Sequence, residues 1–143
     1  MGLKARRRRK PPPLSARTVE LVDGILIVVQ GLEPPSLNGR GGLIRADWRA
    51  RRRRLETLKL VLLAARPPRL YARRCRVHYV RSYAARPLDA DNLAASFKLV
   101  GDALVSIGVL RDDDRLELRP AQRPRGGRGP FFTVAIRATA PNP

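Results

Sequence analysis

Apolar residues recur along the chain with two different periods, and the points where the period changes mark its elements. Residues 18–30 read as β structure. Apolar runs at 18–22 and 25–29 flank Asp23-Gly24, which makes either a hairpin or one long bulged strand. Residues 34–42 are dense in turn formers, and their glycines lack the Gly-Lys-Ser/Thr ending of a phosphate-binding loop. The period then lengthens. Trp48, Leu55, Leu58 and Leu62 make one apolar stripe, which predicts a helix over 44–65 that Pro67-Pro68 ends. Alternation returns at 71–83, with Cys75, Val77 and Tyr79 on one side, until Arg86-Pro87 breaks it. A second helix is expected over 92–107, where Leu93, Phe97, Val100, Leu104 and Ile107 share a face and Gly108 is the stop signal. A short strand at 115–118, a flexible arginine-glycine turn at 125–129 and a last strand at 131–137 complete the pattern. This order predicts an α+β fold: a single domain, with a mixed β-sheet and two main helices.

Charge narrows the class of partner. The chain of 143 residues carries a formal net charge of +18 with 43% apolar residues, so it folds a core yet presents a strongly basic surface. Arginine outnumbers lysine, and its planar fork matches phosphates and guanine edges, which favours nucleic acid. Residues 1–16 form a basic, proline-rich tail that cannot bury enough apolar surface to fold alone; it serves either as extra phosphate affinity or as a solubilising segment. The arginines at 51–54 wrap most of a turn and are either DNA contacts or a solvated face. The aliphatic run at 25–29 is far too short to span a bilayer, and no membrane partner is expected. Cys75 is the single cysteine, which excludes an intrachain disulfide; its spacing to His78 resembles half a zinc site, but no second ligand pair follows.

Against this basic background, seven of the twelve acidic residues fall between Asp89 and Glu117. Carboxylates so clustered repel one another and repel phosphate, unless a cation sits among them. Asp89 and Asp91 alternate in an extended segment, so both can face one ion. Either Asn92 or Asp91 is the expected N-cap of the helix that follows. At about 100° per residue, Asp91, Lys98 and Asp102 line up opposite the apolar stripe. Beyond Gly108 the chain carries Asp112, Asp113 and Asp114, which approach Asp89 and Asp91 if it runs back alongside the helix. Carboxylates from two segments make a hard oxygen site suited to Mg²⁺, with Mn²⁺ as a substitute. Such an ion polarises a scissile phosphate and activates water, and Lys98 would stabilise charge building on the transition state.

At these residues the chain resembles the RusA family of Holliday junction resolvases. The matching pattern is Asp89-x-Asp91-Asn92, then Lys98, then Asp102-Ala103-Leu104, then Gly108-Val109-Leu110-x-Asp112-Asp113. Pro34-Pro35-Ser36-Leu37-Asn38 also looks like the family's loop after its first strand. The likeness runs over roughly 25–137, and its specific part is 87–113. It implies a RusA-like nuclease domain over 17–140, in a bacterial or phage-encoded protein that is cytoplasmic and nucleoid-associated. The implied activity is that of a Mg²⁺-dependent homodimer that binds branched DNA and nicks two opposed strands of a four-way junction. Asp89, Asp91 and Asp113 match the essential metal-binding acids, Asp112 stands beside them, and Lys98 matches the catalytic lysine. Many members place that lysine about three residues nearer the acids; three residues turn a helix by about 60° and advance it about 4.5 Å. Arg40, Arg45, Arg86 and Arg111, close to the acids in sequence, and Asn38 in the proline loop are the candidate DNA contacts. The rival readings are a non-catalytic basic nucleic-acid-binding protein, with its acids paired to arginines, and a metal nuclease acting on other branched DNA or RNA.

Overall fold

The alternating segments become five strands and the two stripes become two helices. They follow in the order β1 (Ser15–Leu21), β2 (Gly24–Gln30), α1 (Trp48–Ala64), β3 (Cys75–Tyr83), α2 (Ala90–Ser106), β4 (Glu117–Pro124) and β5 (Phe131–Ala138). This computed structural model describes residues 13–36, 47–70, 75–111 and 117–138. The strands form one mixed sheet in the order β1-β2-β5-β3-β4. β3 and β4 are parallel and the other neighbours antiparallel, so α2 is the crossover of a β-α-β unit. The chain is thus a small single-domain α+β protein with a mixed five-stranded sheet and two helices.

The core lies between one face of the sheet and both helices. Ile25, Ile27 and Val29 of β2, Val77 and Tyr79 of β3, and Phe132, Val134 and Ile136 of β5 are buried against Leu58, Val61 and Leu62 of α1 and Leu93, Phe97, Val100 and Leu104 of α2. Tyr79 and Phe97 meet as tilted rings with centroids 4.9 Å apart, which ties the middle of β3 to the middle of α2. Alternate residues on the same strands, such as Leu26, Val28, Val80 and Thr133, are only half-buried; they form the sheet's other face.

Local chemistry sets the element ends. The first strand pair is a hairpin turned at Val22-Asp23. Gly24 is needed there, because a Cβ would stand 1.9 Å from the carbonyl oxygen of Ile136. α2 closes in a Schellman motif: Gly108 takes φ 83°, its N–H donates to Val105 O at 3.0 Å, and Val109 N–H donates to Leu104 O at 3.0 Å.

Three expectations need correction. α1 begins at Trp48 and not at 44, because Asp47 caps it by accepting from Ala50 N at 2.7 Å. Trp48 is not part of the buried stripe. It is 66% exposed, since the buried residues of α1 all lie toward its other end, and Arg49 stands over its ring at 5.3 Å. The strand expected at 115–118 is the longer β4, whose Pro120 and Pro124 obscure it in sequence; as an edge strand bonded only to β3 it tolerates both. Among the described residues, no helix is long and apolar enough to cross a membrane.

Phe97→Ala is expected to cost about 3–5 kcal/mol of stability, and Trp48→Ala no more than about 0.5 kcal/mol. Urea denaturation followed by far-ultraviolet circular dichroism measures both, and similar losses would contradict the packing described.

Candidate active site at the start of the second helix

Residues 84–89 carry the chain from the end of β3 to α2, and two amides fix their path. Gln122 of β4 grips Leu88 from both sides: its Nε2 donates to Leu88 O, and its Oε1 accepts from Leu88 N, each at 2.7 Å. The next residue, Asp89, is the N-cap of α2, with φ −67° and ψ 170°. Its Oδ1 accepts from Asn92 N at 2.9 Å, and Asn92 Nδ2 donates to both carboxylate oxygens at 3.0 Å. Asp89, not Asn92 or Asp91, therefore caps the helix. Asp91 and Asn92 already lie inside the helix, at its second and third positions, so neither is placed to cap it and Asp91 does not alternate with Asp89 in an extended segment as expected.

These bonds also set the charge state. The backbone N–H of Asn92, then its side-chain amide, hold the Asp89 carboxyl below the usual carboxylate range. Oδ1 accepts twice and Oδ2 once, so Oδ2 retains an acceptor site after these bonds. Asp91 stands exposed in the first turn, with Lys98 and Asp102 exposed further along α2 as the helical repeat predicts. Arg86 is exposed in the connection just before Asp89. The structure therefore gathers Asp89, Asp91 and Arg86 at one end of α2.

Arg111 lies at the other end. Val109 and Leu110 both donate to Leu104 O, and Leu70 N donates to Val109 O at 3.0 Å, which anchors this stretch beyond the C-terminus of α2. Glu117 then re-enters the sheet opposite Arg76, near the start of β3. The described residues flanking Asp112 and Asp113 thus lie at the opposite end of the helix from Asp89. Asp112, Asp113, Asn38, Arg40 and Arg45 are themselves outside the described residues. Among the described residues, no group of three or more His, Cys, Asp or Glu is placed to hold a metal ion.

A buried polar network behind the site was not expected from sequence. Arg81 of β3 donates to Pro34 O at 2.7 Å and lies 3.6 Å from Glu33, which also pairs with Arg125. The Tyr79 hydroxyl lies 3.1 Å from Ser96 Oγ, and Ser96 Oγ lies 3.5 Å from the same Pro34 oxygen. Burial pushes the Tyr79 hydroxyl above the usual tyrosine range, so it stays protonated and able to donate. The network ties the loop after β2 to β3, to α2 and to the loop after β4. Its one sequence signal is a charged residue, Arg81, in register with the apolar face of β3.

No family model and no curated protein matches the chain. Among solved structures it is similar to the periplasmic domain of Helicobacter pylori MotB, at 10% identity and a TM-score of 0.43, over 93% of this chain and 84% of that one. A likeness so distant carries no inference about function.

A carboxyl-carbon NMR titration is expected to place Asp89 below the ordinary aspartate value of about 3.9 and to find it raised toward that value in Asn92→Ala. A depressed folded value means that Asp89 stabilises the fold above its unfolded value, and that this contribution is lost as pH falls through the folded one.

Proposed function

We propose that the chain is a Mg²⁺-dependent, structure-selective endodeoxyribonuclease of the RusA type, which resolves four-way DNA junctions by paired nicks. The observation that supports this most is the pair Asp89 and Asp91 at the N-terminus of α2. The first acid is held ionised and oriented by Asn92, inside a chain of net charge +18.

Asp89 and Asp91 suit two of the oxygen donors of a hard cation, and Asp112 and Asp113 are the acids that would complete the set. When bound, Mg²⁺ supplies polarisation of the scissile phosphate and activation of water. The rest falls to the chain. Arg86, exposed just before Asp89, holds phosphate oxygens there. Lys98, two turns along the same edge of the helix, neutralises charge that develops on the phosphate or on the leaving oxygen. In a homodimer, a two-fold axis presents two such sites to two equivalent strands of a junction.

The placement of Arg111 and Glu117 adds a requirement. α2 has 17 residues, so its ends are about 25 Å apart at the usual helical rise. The connection from Arg111 to Glu117 is too short to travel that distance and return. In this reading, Asp112 and Asp113 therefore reach the ion held by Asp89 and Asp91 from a second copy of the chain.

A second reading, the non-catalytic nucleic-acid binder, draws on the same site: Asn92 occupies both oxygens of Asp89, as a purely structural cap would. A panel of labelled branched DNAs with Mg²⁺ or Mn²⁺ separates the two. Four-way junctions are expected to be nicked in opposed strands, and Asp91→Asn is expected to retain junction binding while losing cleavage. Binding without cleavage by the unaltered chain on every substrate would leave the second reading.

Mixing two inactive chains tests the shared site. Asp91→Asn combined with Asp113→Asn is expected to recover roughly a quarter of the nicking rate, because half the dimers are mixed and each of these has one intact site. No recovery would place all the acids of a site on one chain.

A further inference from the structure

Both helices cover the same face of the sheet, and a groove of about 1130 Å³ lies at one end of the opposite face. Its floor is half-buried and apolar: Val28 of β2, Val80 of β3 and Phe131 of β5. Three exposed arginines stand around it, Arg17 on β1, Arg123 on β4 and Arg128 in the glycine-rich loop before β5. No carboxylate lines the groove among the described residues. Gly127 in that loop borders open space, since a Cβ there would meet nothing within 4 Å.

The groove and the candidate site lie at the same end of the sheet. The C-terminal ends of β2, β3 and β4 lie at the same end of the sheet, where Tyr83 pairs with Pro124 and the chain leaves for Asp89. Arg123 also follows directly on Gln122, the residue that grips Leu88 beside Asp89. Successive strand residues point to opposite faces, so Arg123 faces the groove while Gln122 faces the acids. β4 is the edge of the sheet, and a chain of phosphates can pass over it from one face to the other.

We propose that this groove takes one DNA strand, with phosphates on Arg17, Arg123 and Arg128 and base faces over Val28, Val80 and Phe131. The choice of DNA as the polyanion rests on the nuclease reading above; the site itself rests on the groove. An apolar floor with an aromatic ring suits unpaired bases, because every base offers a π-face, whereas a duplex offers a surface mainly its phosphates. A second copy is the poorer occupant, since a two-fold axis would set these arginines against their own counterparts. The arginine-glycine turn, a weak signal in sequence, becomes here one wall of a built surface.

The test is fluorescence anisotropy of a labelled single strand and of a duplex of equal length, in chelator and over a range of salt. Without metal there is no cleavage, so the result stands apart from the fate of Asp91→Asn in the nicking assay. The triple variant Arg17→Gln/Arg123→Gln/Arg128→Gln is expected to lower the single-strand salt slope by about 2, at ~0.7 for each phosphate released, and to change the duplex slope less. Arg49→Gln/Arg66→Gln/Arg69→Gln, away from the groove, removes the same charge from elsewhere and is expected to leave the single-strand slope unchanged. An unaltered slope in the first variant, an equal loss in the second, or a change only in self-association by sedimentation would each overturn the proposal. A second measurement does not depend on removing side chains. Cys75 is the only native cysteine and is buried, so Gly127→Cys can carry a crosslinker alone. Coupling to the single strand is expected from Gly127→Cys and not from Leu60→Cys on α1; equal coupling would count against the groove.

Discussion

The arrangement at the end of the domain that carries Asp89 depends on one buried charge. Arg81 is 7% exposed, and it sits in β3 where the alternation calls for an apolar residue. A guanidinium there costs several kcal/mol unless its charge and donors are met, by order of magnitude. From the loop after β2, Pro34 O accepts from one Nη of Arg81 and Glu33 stands beside its charge, which leaves Nε without a partner among the described residues; Glu33 also reaches Arg125 in the loop after β4. Two loops remote in sequence are thereby fixed to the end of β3. The segment that carries Asp89 leaves from the end of that same strand.

A site on such a scaffold is oriented in advance. Asp89 sits between two amides, Gln122 holding the backbone before it and Asn92 holding its carboxylate. The hydrogen bonds that cap α2 also keep that carboxylate ionised, so one set of contacts serves both folding and charge. The positive end of the helix favours anions nearby, which suits Asp91 and a phosphate group alike. A cation at the same place needs more than two carboxylates to overcome that field, and this is why the second pair of acids matters to the hydrolytic proposal.

The two faces of the sheet differ in their carboxylates. Asp89, Asp91 and Asp102 stand exposed along α2, on the helical side of the sheet, where the exposed arginines of α1 also lie. The opposite face carries arginines around a half-buried apolar floor. In a chain with 30 basic and 12 acidic residues, a polyanion is attracted almost anywhere on the surface. What distinguishes one region is the local absence of carboxylates and the presence of apolar surface that phosphates alone do not need.

Much of this was legible in the residues themselves. The periods of Leu93, Phe97, Val100 and Leu104, and of Cys75, Val77 and Tyr79, are local quantities. They specified α2, β3 and the face each buries, because a side chain's direction follows from backbone geometry alone. Asp23-Gly24 and Gly108 likewise marked turns that depend on a few neighbouring residues. The pattern failed where a distant partner decides. Trp48 fits the stripe of α1 but has no sheet beneath it, and β4 survives two prolines because only one of its edges is paired. The grip of Gln122 on Leu88 and of Arg81 on Pro34 spans residues 34 and 47 positions apart, a separation no local rule reads. The sequence determined which residues carry charge and which face of each element is apolar. Only the tertiary structure decided which of those charges share an end of the domain, because the sheet order and the length of α2, not spacing along the chain, set the distances between them.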